Sequence, residues 1–282
     1  MDAGPTAGLG LKPQHYGDAV ACRAAGRWFE VHPENYMAQG GPRLAWLEAV
    51  RREAPVSLHG VGLSLAADGP PDPRHLAALK RLVDRFQPFA VSEHLAWSAR
   101  GGLYPPDLLP FPRTRAMLDQ VAANVSRMQD ALGRLVLVEN PALYMPLAGH
   151  EMDEPAFLAD LVRRTGCGLL VDVNNIHVSA CNLGFSAEAY LDALPAGPIG
   201  EIHLAGHTPD PRLGERLLID SHGAPVAETV WELYGRLIAR IGPRPTLIER
   251  DADIPAFAEL MAERERAHAL LTAAARAEPA HA

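Results

Sequence analysis

An eightfold alternation of short apolar runs with amphipathic stretches predicts an α/β fold, a (β/α)8 TIM barrel. Two further observations point the same way. Five of the apolar runs end in His or Glu: Val56-Ser57-Leu58-His59, Val91-Ser92-Glu93-His94, Leu135-Val136-Leu137-Val138-Glu139, Ile199-Gly200-Glu201-Ile202-His203 and Thr246-Leu247-Ile248-Glu249. A charged or metal-binding residue at the carboxyl end of a buried parallel strand is misplaced unless it faces a site. The length of 282 residues also suits one such barrel.

The elements follow in order. Residues 8–12 form a weak first strand and 28–31 a second, both running into polar segments that include His15, His32, Glu34 and Asn35. Residues 43–53 are helical, with Leu44, Leu47 and Val50 on one face. Strand three spans 56–61, and after a Gly/Pro-rich turn a helix over 73–86 carries Leu76, Leu79, Leu82 and Val83. Strand four covers 89–94. The Gly- and Pro-rich stretch 98–112 reads as a lid or docking surface, or equally as a plain surface excursion. A helix over 114–132 leads to strand five at 135–139, and a helix over 153–165, capped by Asp153, leads to strand six at 168–172. Residues 172–177 read as a polar continuation of that strand. Helix 186–194, strand 199–203, helix 225–241, strand 246–249 and helix 255–275 complete the series. We therefore expect one domain over 1–275 and a tail, 276–282, that frays. A doubly wound open sheet would want a Gly-rich phosphate loop after its first strand, and Gly8-x-Gly10 lacks the third glycine.

Composition bounds the function. A formal charge of −8 supplies no basic field for a phosphate backbone, so nucleic acid is not an expected partner. No run approaches a membrane span and the first ten residues lack a secretory pattern, which predicts a cytoplasmic protein without membrane association. Cys22, Cys167 and Cys181 lie far apart and indicate neither a disulfide framework nor a thiolate zinc site.

Barrel closure would bring His59, His94, His177, His203, His222, Glu139 and Glu249 together at one mouth, whereas His75, His150, His268 and His281 read as scattered surface residues. Asn174-x-x-His177 and Asp220-x-His222 add an amide and a carboxylate at short spacing. Imidazole and carboxylate without thiolate suit Fe(II), Mn(II) or Zn(II), and nine such ligands exceed what one ion takes. Two or three metals are expected.

Over nearly its whole length the sequence resembles the DUF692 (UPF0276) family of multinuclear non-haem iron-dependent oxidative enzymes, which includes the methanobactin- and bufferin-type peptide-modifying enzymes. The resemblance is carried by Trp28-Phe29-Glu30-Val31-His32-Pro33-Glu34-Asn35-Tyr36-Met37, Ser57-Leu58-His59-Gly60, Ser92-Glu93-His94-Leu95-Ala96-Trp97, Val138-Glu139-Asn140-Pro141, Asp172-Val173-Asn174-Asn175-Ile176-His177, Glu201-Ile202-His203-Leu204-Ala205-Gly206-His207, Asp220-Ser221-His222-Gly223 and Glu249-Arg250-Asp251. It implies oxygen-dependent oxidation of cysteines in a ribosomally made precursor peptide, two to three iron ions, and a separate partner protein that recognises the peptide's leader. The wider resemblance to xylose isomerase and endonuclease IV barrels implies that His59, His94, Glu139, Asn174, His177, His203, Asp220, His222 and Glu249 hold the metals. Asn174 then stands where those barrels have Asp, with Asp172 as its rival for the position. We expect Asn174 as ligand and Asp172 behind it, near substrate. His32, Asn35, Arg250 and Asp251 are expected to orient substrate, and Asp220, His207 and Glu34 to move protons. The alternative is a zinc- or manganese-dependent hydrolase or sugar isomerase on the same barrel, for which Lys12 is the lysine near a strand end.

Overall fold

Short runs rich in β-branched residues and Leu make the strands, and their parallel pairing closes a barrel in the computed structural model, which describes residues 6–99, 105 and 107–277. Strands β1 (Ala7–Gly10), β2 (Phe29–Val31), β3 (Val56–Gly60), β4 (Val91–His94), β5 (Leu137–Glu139), β6 (Gly168–Asp172) and β7 (Ile199–Leu204) are followed by an antiparallel hairpin, β8 (Thr208–Asp210) and β9 (Gly214–Ile219). Strand β10 (Thr246–Ile248) then pairs with both β7 and β1 and completes the ring. The register bears on chemistry: His94 is level with Glu139, Asp172 with His203, and Glu30 with Ser57.

Helices α1 (Tyr16–Ala21), α2 (Pro42–Glu53), α3 (Pro73–Phe86), α4 (Arg115–Leu132), α5 (Glu154–Thr165), α6 (Val173–Leu183), α7 (Ala187–Ala193), α8 (Glu228–Ile241) and α9 (Phe257–Ala277) surround it. Their starts obey capping chemistry, with side chains of Asp72, Thr114, Asp153 and Ser186 accepting from backbone N–H groups of the first turn. The buried faces expected from helical spacing, Leu44, Leu47 and Val50 of α2 or Leu118, Val121, Val125 and Met128 of α4, pack in the core. No helix among the described residues is long and apolar enough to cross a membrane.

Three segments differ from the sequence reading. Residues 173–183 are helical rather than a continuation of β6, because Asp172 caps the helix by accepting from Asn175 N at 2.6 Å. Helix α1 and the β8–β9 hairpin were not anticipated; both are short, and the hairpin is largely exposed. In the stretch expected to be a lid, residues 100–104 and 106 lie outside the described residues, while Trp97 and Leu109 bridge its base. The final helix reaches Ala277, and the rest of the expected tail lies outside the described residues.

Candidate metal centre

The ends of β3, β4 and β5 supply the first group of donors. His59 Nε2 and His94 Nε2 lie 3.3 Å apart, and Glu139 Oε2 lies 3.0 Å from the first and 3.1 Å from the second. Each imidazole is held from behind, His59 Nδ1 by Ser92 Oγ at 2.7 Å and His94 Nδ1 by the carbonyl of Gly60 at 3.0 Å. A carbonyl only accepts, so His94 Nδ1 donates and its Nε2 lone pair faces Glu139. Despite these short approaches Glu139 Oε2 makes no hydrogen bond, while the two imidazole nitrogens approach each other at hydrogen-bond distance.

Glu139 connects this group to a second. Its other oxygen, Oε1, lies 3.8 Å from His203 Nδ1, which in turn is 3.2 Å from Glu249 Oε2. Ligand atoms of Glu139, Asp172 and His203 gather within 4.8 Å of one another, as do those of Asp172, His222 and Glu249. His222 is carried on a left-handed backbone (φ 49°), a costly conformation for a non-glycine residue, and reaches Asp220 Oδ1 at 2.8 Å. Beside it Asn174 donates to Asp220 Oδ1 at 2.7 Å and accepts from His207 Nδ1 at 2.8 Å; the His207 ring lies 4.9 Å from that of His177.

Buried Glu139 Oε2, Asp172 Oδ2, both nitrogens of His203 and His222 Nε2 have no hydrogen-bond partner. Leaving such an atom unsatisfied costs about 1–3 kcal/mol. One divalent cation satisfies several at once, and an all-nitrogen and oxygen set suits iron, manganese or zinc, so these residues fit a multinuclear metal site. The two imidazoles of the first group, His59 and His94, differ in proton balance: burial opposes a charge on both, yet the Glu139 carboxylate beside His59 holds it up at about 10, while burial keeps His94 below its usual value.

Four expectations need correction. Asp172 takes the place in the donor groups that Asn174 was expected to hold, and Asn174 is occupied by Asp220 and His207. With helix α6 starting at Val173, two residues separate the side chains by about 200° of rotation instead of leaving them on one strand face. Glu34, expected to move protons, turns away from the donors: its Oε1 accepts from Val61 N and Gly62 N and lies 3.2 Å from His75 Nε2. It anchors the loop after β3, and His75 is therefore no scattered surface residue. Arg250, expected to orient substrate, is buried and donates to Glu263 Oε2 of α9 at 3.0 Å.

Of the remaining expected residues, His32, Asn35, Asp220 and Asp251 line two cavities at the mouth, while His177 and His207 line neither and belong to no donor group among the described residues. A cavity of about 310 Å³ is lined by His32, His94, Glu139, Tyr144, Asp220, His222, Glu249 and Asp251. A neighbouring one of about 220 Å³ shares His32 and Glu249 and adds Asn35, Lys12 and Tyr16. Asp251 links His222 Nδ1, at 3.3 Å, to the Lys12 ammonium.

The sequence reading missed three buried acids. Glu30 faces His203 Nε2 at 3.2 Å and accepts from Ser57 Oγ at 2.6 Å. Glu201, on the same strand and two residues before His203, lies 3.5 Å from that nitrogen. Burial and then the charge of Glu30 push Glu201 up to about 8. Burial and then the charge of Glu34 do the same to Glu93, which accepts from Leu63 N. The signal for Glu201 was strand alternation, since residues two apart share a face.

A closed eight-stranded parallel barrel with imidazoles and carboxylates at the carboxyl ends of its strands defines a (β/α)8 TIM barrel with a candidate metal centre at its mouth. Solved structures agree on the fold. D-psicose 3-epimerase from Clostridium cellulolyticum H10 aligns with a TM-score of 0.61 at 10% identity over 96% of this chain and 98% of its own. Endonuclease IV from Thermus thermophilus aligns with a TM-score of 0.58 at 19% identity over 96% and 100%. Sequence carries the relationship further: residues 6–272 match the family described as RiPP precursor modification enzyme MbnB/TglH/ChrH, and the chain belongs to that family. Its relatives include UPF0276 proteins of Caulobacter vibrioides, 73% identical over 98% of this chain and 99% of the relative, and of Chromobacterium violaceum, 51% identical over 94% of each.

Proposed function

We propose that this chain uses two to three iron ions and dioxygen to oxidise cysteine residues of a ribosomally made precursor peptide, working in the cytoplasm with a partner protein that recognises the leader. Membership of a RiPP precursor modification family supports a peptide substrate. The observation that carries the rest is the unbroken line of donor atoms from His59 and His94 through Glu139 to His203, Asp172, Glu249 and His222, with no thiolate among them. His59, His94 and Glu139 would hold one ion, and Glu139, Asp172, His203 and Glu249 a second. His222, with Asp172 and Glu249, would face a third position. Bound iron would supply one-electron redox chemistry and Lewis acidity.

The chain's own groups do the rest. Ser92 Oγ and Gly60 O keep the His59 and His94 rings aimed inward. His32, Asn35 and Asp251 line the cavities where a cysteine-bearing segment would lie. Asp220, which lines the cavity 2.8 Å from His222 Nε2, would take up a proton there, with His207 joined to it through Asn174. The sugar-isomerase alternative would call on Lys12, whose ammonium is paired with Asp251.

The test is metal analysis of protein purified without air, followed by exposure to oxygen with any cysteine-containing precursor peptide found among the neighbouring genes. Two to three iron atoms per chain and a mass change confined to the peptide's cysteines are expected. A zinc-only protein fully active on a sugar or on DNA would overturn the reading.

A further inference from the structure

Three imidazoles of the candidate metal centre are buttressed from behind, but not alike. His59 rests on a serine hydroxyl and His94 on a backbone carbonyl, both uncharged. Of the three, only His203 turns its rear nitrogen, Nε2, towards two carboxylates, Glu30 Oε1 at 3.2 Å and Glu201 Oε1 at 3.5 Å. Nε2 makes no aligned hydrogen bond to either oxygen; once Nδ1 is given to an ion, the proton of the neutral ring is left on Nε2, facing the two acids. Glu30 is itself held in place: it sits in register with Ser57 across the β2–β3 pair, and the Ser57 hydroxyl donates to its Oε2 at 2.6 Å.

Glu30 is 3% exposed and Glu201 fully buried, and the nearest cation-forming group to either is this imidazole. Two buried acids inside a barrel are costly, and apolar residues of similar volume would often pack there without loss. Their position behind His203 gives them a use. A carboxylate behind an imidazole sets which nitrogen carries the proton and makes the other a stronger donor.

We infer that Glu30 is a positioning residue for His203, directing its Nδ1 at Glu139 and Glu249, and that the ion held there is bound by a stronger donor than the ion at His59 and His94. The inference rests on the metal reading above. It makes the two ends of the centre electronically unequal: a substrate or co-substrate that prefers the less electron-rich ion would be directed to the His59 and His94 end.

The test uses cobalt(II) as probe on the full chain, titrated without air and followed by visible absorption and metal analysis, with Glu30→Gln as the main variant and Ser57→Ala as a milder one. For Glu30→Gln, the ion whose absorption depends on His203 should bind at least ~10-fold more weakly, while the ion at His59, His94 and Glu139 keeps its affinity. Ser57→Ala should move the same ion in the same direction by less. A residue with a merely structural part would shift the melting temperature without singling out one ion's spectrum. If the natural chain takes up cobalt and both variants reproduce its titration and spectrum, this inference is overturned alone. If the natural chain takes up no cobalt, the metal reading falls and this inference with it.

Discussion

The two ends of the barrel are built from the same strands and obey opposite rules. At the amino end Trp28, fully buried, packs edge-on to Phe89 with ring centres 5.0 Å apart. Gly8 lets it in, for a Cβ there would come within 2.4 Å of the indole. At the carboxyl end, buried positions hold His59, Glu139, Asp172, His203 and Glu249, several without hydrogen-bond partners. A depression of about 490 Å³ opens near the amino end, larger than either cavity at the mouth, yet its lining offers only Asp84 and Arg134 as charged groups. Arg134 is already bonded to the carbonyls of Pro88 and Phe89. Size therefore does not mark the site; convergence of unsatisfied donors does. Packing stabilises one end, and the other keeps polar groups that an apo barrel would be more stable without.

That contrast can be broken most directly at Glu139. Glu139→Ala should reduce bound metal to below one ion per chain, measured by metal analysis, while the melting temperature of the metal-free protein stays level or rises. A metal-free variant that unfolds would show that the acids support the fold after all. Trp28→Ala is the reverse experiment: a cost of about 3–5 kcal/mol in denaturant unfolding, with metal per folded chain unchanged. A smaller effect sharpens the comparison at a third place, the buried Glu154 at the start of α5. Burial pushes its carboxyl up to about 7, against the pull of Arg113 3.4 Å away. The folded chain then holds a proton that the unfolded chain releases, so stability should fall as pH rises from about 4.5 to about 7 and level off above. The drop is up to about 3 kcal/mol. Glu154→Gln should flatten that slope, and unfolding curves at several pH values would show whether it does.

How much of this was legible beforehand differs by residue. His59, His94, Glu139, His203 and Glu249 were visible because each follows a short apolar run, and a strand brings whatever follows it to the barrel mouth. Asp172 was misjudged against Asn174 because the choice turns on where β6 gives way to α6, and Asp-Val-Asn-Asn serves a strand end and a helix cap equally well. Glu34 and Arg250 share their motifs with residues of the candidate centre; only their partners, the Val61 and Gly62 amides and Glu263, separate them from it. Glu30 and Glu201 went unnoticed although alternation put Glu201 on the face of His203.

Local periodicity, which needs only neighbours in the chain, determined the eight barrel strands, the main helices between them and many of the residues at the rim. The tertiary structure alone decided which nitrogen of each imidazole looks inward, which acid lies between two donor groups and which merely anchors a loop. Those choices depend on atoms brought together from across the chain, such as Glu30 beside His203 or Lys12 beside Asp251, and no local pattern encodes such distances.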